Sequence, residues 1–171
     1  MITTFLVNHA PAVRVLFWVV LVALTALGWL VHRLRARRAL VTLAGISAVG
    51  VLALTMTPAG DGGNGVFCTV QFSVPFQGID TLANVALLFP LTLFAALLTN
   101  RPVPVVAAAS GLSAAIELVQ ALLPSLGRAC DTNDWFMNTV GAVLAGLLSA
   151  GIITVDRRQR ARQAHASGST P

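Results

Sequence analysis

Residues 103–123 read VPVVAAASGLSAAIELVQALL, an almost unbroken apolar run. It holds a single ionisable side chain, Glu117, in a run long enough to cross a bilayer, which takes roughly 20 predominantly apolar residues. Because a helix rises about 1.5 Å per residue, the stretch matches the thickness of the hydrocarbon core. It is predicted to be a transmembrane helix.

The whole chain shares this apolar character. Of its 171 residues, 56% are hydrophobic and only 10% are charged, and the mean hydropathy is +0.82. A soluble domain carries about 25% charged residues, so these values favour a lipid solvent. The chain contains no lysine, and its arginines fall in short runs between apolar stretches. That placement is typical of membrane topology and argues against nucleic acid as a partner.

Five stretches meet the length requirement for spans. They are Ala12–Val31, Ala39–Met56, Thr81–Leu98, Val103–Leu123 and Trp135–Val155. The predicted fold class is therefore all-α, a polytopic transmembrane helical bundle of five spans, and the lipid bilayer is its first partner.

The arginines predict the orientation, because cytoplasmic loops of membrane proteins carry an excess of arginine and lysine. Five spans place nine arginines on one side: Arg33, Arg35, Arg37, Arg38, Arg101, Arg157, Arg158, Arg160 and Arg162. The opposite side holds Arg128 and most of the carboxylates: Asp61, Asp80, Glu117, Asp131 and Asp134. Arg14, near the outer start of the first span, is an exception to this distribution. The N-terminus is predicted to lie outside and the C-terminus in the cytoplasm.

Four segments follow one another along the chain. Residues 1–57 form an N-terminal pair of transmembrane helices, and residues 58–80 form an extracytoplasmic loop that opens with a glycine-rich run. Residues 81–155 hold the last three spans. Residues 156–171 form a basic cytoplasmic tail without an apolar face, which predicts disorder.

Small residues recur at every fourth position in the last two spans. The two rows are Ala107, Gly111 and Ala115, and Ala142, Gly146 and Ala150. Such rows allow helices to approach closely in lipid, so both are predicted to be packing surfaces.

The two cysteines, Cys68 and Cys130, both fall in predicted outer loops. Two cysteines on the oxidising side of a membrane indicate a disulfide. The bridge would join the loop before the third span to the loop before the fifth. The alternative is two unrelated small residues in loops.

Glu117 is the strongest single indication of function. It lies roughly 9 Å below the outer end of the fourth span, where an ionised carboxylate is costly unless it faces the bundle interior or a wet cavity. Ser113 and Gln120, four residues before and three after, share its helix face. The group is either a functional site or a buried polar knot that holds helices together.

Asp131, Asp134 and Asn138 continue the pattern at spacings of three and four, which places them on one stripe of a helix. One aspartate is expected to cap the fifth helix, where a carboxylate accepts free backbone N–H groups, and the other is then available for a site. Arg128 is expected to pair with Glu117 or Asp131. Its alternative partner is an anionic lipid or phosphate.

Polar residues at the outer end of the third span complete the pattern. Asp80 and Asn84 lie one turn apart there, so Asn84, Glu117 and Asn138 occur at similar depth on three helices. This agreement predicts one site. The predicted ligand-binding or polar cluster comprises Asp80, Asn84, Ser113, Glu117, Gln120, Arg128, Asp131, Asp134 and Asn138.

Residues for catalysis or metal binding are few. The histidines fall outside the predicted site: His9, His32 and His165. No Ser-His or Cys-His pair and no zinc site is therefore expected. Glu117, Asp131 and Asp134 could form an oxygen-only site for Ca²⁺ or Mg²⁺, and the same three are the catalytic candidates if the protein is an enzyme. No other cofactor is assigned.

These motifs resemble those of the VanZ-like family of bacterial membrane proteins. The resemblance covers residues 72–150 and combines Glu-x-x-Gln, Arg-x-x-Asp-x-x-Asp and Asn-x-x-Gly in this order. The matching residues are Val74-Pro75-Phe76, Asn84, Leu88-Phe89-Pro90-Leu91, Ser113, Glu117, Gln120, Arg128, Asp131, Asp134, Asn138-Thr139 and Gly141.

The resemblance implies a multi-pass protein of the bacterial cytoplasmic membrane that acts in the cell envelope, with resistance to teicoplanin-type antibiotics as one family role. The first hypothesis is a non-enzymatic binding module for a lipid-linked envelope precursor or a lipoglycopeptide. The alternative is an intramembrane enzyme that uses the three carboxylates, with or without a divalent cation, on a lipid-linked substrate. In a third interpretation the polar residues only lock the last three helices together.

Overall fold

The computed structural model describes residues 9–58, 68–128 and 130–167. It contains five long α-helices: α1 (Ala10–Arg33), α2 (Arg37–Met56), α3 (Ile79–Thr99), α4 (Pro102–Leu122) and α5 (Thr132–Ser167). All five are long and apolar enough to cross a membrane, which confirms the five predicted spans. The glycine-rich part of the loop predicted over residues 58–80, with Asp61, lies outside the described residues.

Short turns reverse the chain between helices, so the bundle has two distinct ends. Cys68 and Cys130 lie at one of them, called the disulfide end. The other, called the arginine end, carries the turns between α1 and α2 and between α3 and α4. Asn100 ends α3 in the left-handed conformation, with φ 55°, which asparagine tolerates better than most residues. Pro102 then begins α4 with φ already set for a helix.

The central helix is α3, which contacts each of the other four. Its buried side chains form much of the core: Val85, Leu88, Phe89, Leu93, Phe94 and Leu97. The outer helices leave apolar side chains such as Val19, Val49 and Leu118 exposed. Helices that are apolar on all sides belong in a surrounding of lipid or protein, and the exposed face of this bundle therefore suits a bilayer.

The contact between α3 and α5 depends on Gly141. A Cβ atom at this position would lie 2.1 Å from the carbonyl oxygen of Val85, so a larger residue would force the helices apart. The predicted small-residue row on α5 is buried at Ala142 and Gly146, as a packing surface requires.

The corresponding row on α4 is exposed at Ala107, Gly111 and Ala115, and the prediction of a packing surface there is wrong. The helix instead buries the face that carries Ser113 and Glu117. The reason is energetic. Polar side chains that faced lipid would lose their hydrogen-bond partners, whereas small apolar side chains lose little in the same position.

The predicted disorder of residues 156–171 also needs correction, because α5 continues to Ser167. Its 36 residues would extend over about 54 Å, well beyond the hydrocarbon core. Arginine, glutamine and alanine are good helix formers, and a helix that has already formed in the bundle is easily prolonged. An ion pair between Asp156 and Arg160, 2.7 Å apart, supports the extension. Residues 168–171 lie outside the described part.

Candidate functional site

The disulfide end is organised by the bridge between Cys68 and Cys130. Their Cα atoms lie 4.5 Å apart, and each begins a short strand. These strands, β1 (Cys68–Thr69) and β2 (Cys130–Asp131), pair in parallel. The predicted disulfide is confirmed, and it holds the segment before α3 directly beside the start of α5.

Side chains at the start of α5 extend this attachment. Thr132 Oγ1 accepts the N–H of Gln71 at 3.0 Å, and Asn133 Oδ1 accepts the N–H of Ser73 at 2.9 Å. Gln71 Nε2 also donates to Asp131 Oδ2 at 2.6 Å. The backbone before α3 is therefore bound to α5 by specific hydrogen bonds as well as by the disulfide.

Asp131 caps α5 and at the same time holds Glu117. Its Oδ1 accepts the N–H of Asn133 at 2.8 Å, as expected for the residue directly before a helix. Its own backbone N–H donates to Glu117 Oε2 at 2.9 Å. One of the two aspartates is thus the cap, as the sequence predicts, and Glu117 is fixed by a backbone donor.

Asn138 lies on α5, opposite the α4 face that carries Ser113. It is 2% exposed, and its Nδ2 donates to Ser113 Oγ at 3.0 Å. In the described part of the chain its Oδ1 has no hydrogen-bond partner. An unsatisfied buried acceptor costs about 1–3 kcal/mol. This side chain is therefore held in place at one atom and left unsatisfied at the other.

Gln120 and Arg128 both bind the end of α2. Gln120 Nε2 donates to the carbonyl oxygen of Thr55 at 3.0 Å. Arg128 donates to the carbonyl oxygens of Leu54, at 2.8 Å, and Thr57, at 3.1 Å. The helical partner of the Leu54 carbonyl would be the N–H of residue 58, which is a proline and has none. Arg128 thus satisfies carbonyl groups that the helix terminus leaves open.

The expected ion pair of Arg128 with Glu117 or Asp131 is therefore wrong. The ion pairs found among the described residues all involve Asp156, at the arginine end. A guanidinium group offers several fixed donors, which suit two neighbouring carbonyl oxygens, and the negative end of a helix dipole attracts its charge. Glu117 and Asp131 already accept hydrogen bonds from uncharged donors.

Buried and half-buried polar residues surround a cleft of about 340 Å³ at the disulfide end. Its polar lining consists of Thr55, Asn84, Glu117, Gln120, Arg128, Asp134 and Asn138, and its apolar lining consists of Leu54, Ala83, Leu87 and Ile116. Helices α2, α3, α4 and α5 all contribute. Leu54 is 65% exposed, so the apolar rim of the cleft reaches the outer face of the bundle. The volume falls within the range of small-molecule sites.

A second cavity, of about 580 Å³, adjoins this cleft at Asn84 and Asp134, which line both. Asn84 Nδ2 donates a hydrogen bond to Asp134 Oδ1. The further lining of the second cavity is largely polar: Gln71, Ser73, Gln77, Asp80, Asp131 and Asn133. The Asn84–Asp134 pair therefore separates a polar cavity near the end of the bundle from the deeper cleft.

The predicted cluster is thus divided between adjacent places. Six of its residues line the cleft: Asn84, Glu117, Gln120, Arg128, Asp134 and Asn138. Ser113 is fully buried and supports Asn138. Asp80 and Asp131 line the second cavity. Asn84, Glu117 and Asn138, predicted to share one depth, do meet in one cleft.

In the described ranges, no three His, Cys, Asp or Glu side chains are placed so that they could hold a metal ion. Each of the three carboxylates already accepts a hydrogen bond from the protein. Glu117 accepts one from the N–H of Asp131, and Asp134 accepts one from Asn84. Asp131 accepts two, from Gln71 and from the N–H of the second residue of α5. The oxygen-only cation site predicted from Glu117, Asp131 and Asp134 gains no support from this arrangement.

Sequence reasoning missed Thr55, Thr132 and Asn133. The last two carry a signal, because polar residues between two aspartates at a helix start are well placed to bind a neighbouring backbone. Thr55 acts through its carbonyl oxygen, which leaves no mark in the sequence.

The helices and the cleft define a multi-pass helical membrane protein with a polar site at one end of its bundle. The VanZ/LLP1 family model matches residues 12–153, and the chain belongs to this family. The match is wider than residues 72–150 and takes in α2 and most of α1. Comparison with curated proteins and with solved structures gave no match.

Proposed function

We propose that this protein is a non-enzymatic binding module of the bacterial cytoplasmic membrane, and that its cleft takes a polar group of an envelope amphiphile. The two candidate amphiphiles are a lipid-linked peptidoglycan precursor and a lipid-tailed glycopeptide of the teicoplanin type. In this proposal the disulfide end is extracytoplasmic. Arginines concentrated at the other end support that orientation, as does the disulfide, which requires an oxidising compartment.

The observation that carries the proposal is Oδ1 of Asn138, a residue of the cleft wall, which accepts no hydrogen bond from any residue that the structure describes. Buried polar atoms in folded proteins nearly always have a hydrogen-bond partner. A ligand with a hydroxyl or amine group would supply the missing donor. Binding would then remove the free-energy cost of leaving this buried oxygen without a hydrogen bond.

The charges of the cleft favour a ligand group that donates hydrogen bonds. Glu117 and Asp134 contribute carboxylates to the lining, and Asn138 contributes an acceptor. The one cation, Arg128, is engaged with the carbonyl oxygens of α2. A sugar hydroxyl or an ammonium group therefore suits the cleft better than a phosphate, which would face two carboxylates.

The shape of the cleft favours an amphiphile. Its apolar rim includes Leu54 and Leu87, and Leu54 lies on the outer face of the bundle, where it would contact lipid chains. A molecule with a hydrocarbon tail could keep that tail in the bilayer while its polar group enters the cleft. About 340 Å³ holds a group of the size of one sugar ring, and the adjoining cavity gives room for further polar units.

Existing contacts favour recognition over catalysis. Ser113 is fully buried and does not line the cleft, so its hydroxyl is out of reach of a substrate bound there. Glu117 holds the backbone of Asp131. A water molecule activated by a carboxylate is the remaining route to hydrolysis of a lipid-linked substrate. Turnover of such a substrate by the purified protein would establish the enzyme alternative.

Binding of teicoplanin to the purified full-length protein in nanodiscs tests the proposal. We expect the wild type to bind teicoplanin and to bind deacylated teicoplanin at least about tenfold more weakly, because the tail no longer contributes. Glu117→Gln and Asn138→Leu should each weaken teicoplanin binding by about tenfold or more, the effect of one lost hydrogen bond to a charged or buried group.

Asp156→Asn is the control, since it removes a carboxylate at the arginine end of the bundle, outside both the cleft and the adjoining cavity. It should bind teicoplanin like the wild type. A lipid-linked disaccharide-peptide serves as the second probe and separates the two candidate amphiphiles. The proposal fails if the wild type binds neither probe, or if the cleft variants fold and bind both probes as the wild type does.

A further inference from the structure

The arginine end contains a third cavity, separate from the two at the disulfide end. Its volume is about 470 Å³, and it lies between the α1–α2 turn, the end of α3 and the extension of α5. Four arginines line it: Arg35, Arg37, Arg157 and Arg160. Leu40, Leu97 and Leu98 form its apolar wall.

Most of this positive charge is uncompensated. The acidic residue of the lining is Asp156, which binds Arg160 at 2.7 Å and lies 3.7 Å from His32 Nε2. Among the described residues, no ion pair engages Arg35, Arg37 or Arg157. Three arginines without an ion pair in the described part of the chain thus line one cavity, and its carboxylate is already shared between two partners.

The backbone around the cavity adds to this preference for negative charge. Arg37 is the first residue of α2, and Ala36, directly before it, has no side chain that could cap the helix. The first N–H groups of a helix lack helical partners and carry its positive dipole end. Without a capping side chain, an anion beside this turn would be stabilised.

Arg35 occupies an unusual conformation for its residue type. Its φ is 56°, in the left-handed region, where a residue with a Cβ atom costs about 1–2 kcal/mol relative to the right-handed conformation. Glycine or asparagine would make the same tight turn with less strain. Arg35 lines the cavity, and an arginine brings to this turn a positive charge that glycine would lack.

We propose that this cavity binds the phosphate group of an anionic phospholipid such as phosphatidylglycerol. Arginine is well matched to phosphate, because its planar group can donate two hydrogen bonds to one anion. The cavity lies at the end of a transmembrane bundle, where headgroup phosphates are found, and its leucine wall suits the start of an acyl chain. Basic pockets between transmembrane helices bind anionic headgroups by the same forces.

The proposal does not depend on the function of the cleft or on the orientation of the chain. Its test compares two double substitutions that remove the same charge. Arg37→Gln with Arg157→Gln removes two arginines of the cavity. Arg38→Gln with Arg158→Gln removes their exposed neighbours, which do not line it.

Full-length protein in detergent is titrated with phosphatidylglycerol, with phosphatidylcholine of the same chains, and with glycerophosphate, and bound lipid is counted by native mass spectrometry. The wild type should retain phosphatidylglycerol at least about tenfold better than phosphatidylcholine. The cavity variant should lose this preference, and the neighbour variant should keep it. Glycerophosphate should not displace the lipid, because it lacks the acyl chains.

Equal losses in the two double variants would contradict the proposal, since they would show general attraction of surface charge. Equal retention of the two lipids by the wild type would also contradict the proposal, since it would show no preference for the anionic headgroup. Displacement by an equal concentration of glycerophosphate would show that the cavity binds a free phosphate ester, and it would contradict the proposal of a lipid ligand. Arg157→Gln against Arg158→Gln repeats the comparison with single changes if the double cavity variant unfolds, as judged by circular dichroism.

Discussion

The backbone N–H of Asp131 donates a hydrogen bond to Glu117 Oε2 at 2.9 Å. This contact joins a buried carboxylate of α4 to the residue that follows Cys130 and caps α5. The side chain that costs most to bury is thus held by the segment that the disulfide fixes. The position of the Glu117 carboxylate therefore depends on the structure of the disulfide end.

Substitutions of Glu117 should separate its structural role from its charge. Glu117→Gln keeps an oxygen that accepts the Asp131 N–H, whereas Glu117→Leu leaves that N–H unsatisfied. We expect the leucine variant to be less stable than the glutamine variant by about 1–3 kcal/mol, the cost of an unsatisfied buried donor. Thermal unfolding in detergent measures the difference. Equal stability of the two variants would show that the hydrogen bond is unimportant for the fold.

Arg128 should stabilise the end of α2 rather than a carboxylate. Arg128→Gln is expected to cost about 2 kcal/mol, since it removes charge-assisted hydrogen bonds to Leu54 and Thr57. Arg128→Lys should restore part of the lost stability, because an ammonium group keeps the charge but lacks the fixed pair of N–H donors of a guanidinium group. Amide hydrogen exchange at the C-terminal end of α2 gives the local measurement. Unchanged exchange there in Arg128→Gln would contradict the assignment.

Two glycines offer a matched pair of substitutions. Gly141→Ala places a methyl group against the Val85 carbonyl oxygen and should separate α3 from α5, with a loss of several kcal/mol typical of overpacking. Gly111→Ala meets no atom within 4 Å and should stabilise α4 by up to about 1 kcal/mol. Folded yield after extraction in detergent, followed by thermal unfolding, ranks the two variants. The reverse ranking would place the helix contact elsewhere.

Loss of the disulfide should loosen one end of the bundle and leave the spans intact. Cys68 and Cys130 are separated by 62 residues, and closing such a loop contributes about 4 kcal/mol in a chain-entropy model. Helices held in a bilayer are already restrained, so the double variant Cys68→Ser with Cys130→Ser should lose less stability than this figure. Faster hydrogen exchange is expected in residues 68–77, with little change in α3. Exchange that rises equally in α3 would show a wider role for the bridge.

The spans and the meeting of polar residues could be predicted from the sequence for one physical reason. Lipid excludes charge, so apolar runs of fixed length show where the helices lie, and the position of a polar residue in its run shows its depth. On this basis the sequence predicts that Asn84, Glu117 and Asn138 lie together. The disulfide between Cys68 and Cys130 followed from the same topology.

The partners within the site could not be predicted in the same way. Arg128 binds backbone carbonyl oxygens, which every residue has, so the sequence pointed instead to the nearest carboxylates. The inward face of α4 was also ambiguous, because its small-residue row and its polar row compete, and only the packed bundle shows that Ser113 and Glu117 turn inward. The helical extension of α5 depends on a helix already formed in the bundle, which local composition does not record.

Photo-crosslinking from the rim of the cleft shows whether the cleft binds an envelope amphiphile. A benzophenone amino acid replaces Leu54, which lines the cleft, or Leu52, which is exposed on the same helix but outside the cleft lining. With teicoplanin or a lipid-linked disaccharide-peptide as probe, we expect a crosslink from position 54 that Asn138→Leu abolishes, and none from position 52. Equal crosslinks from both positions, or none from position 54 with either probe, would contradict a binding role for the cleft.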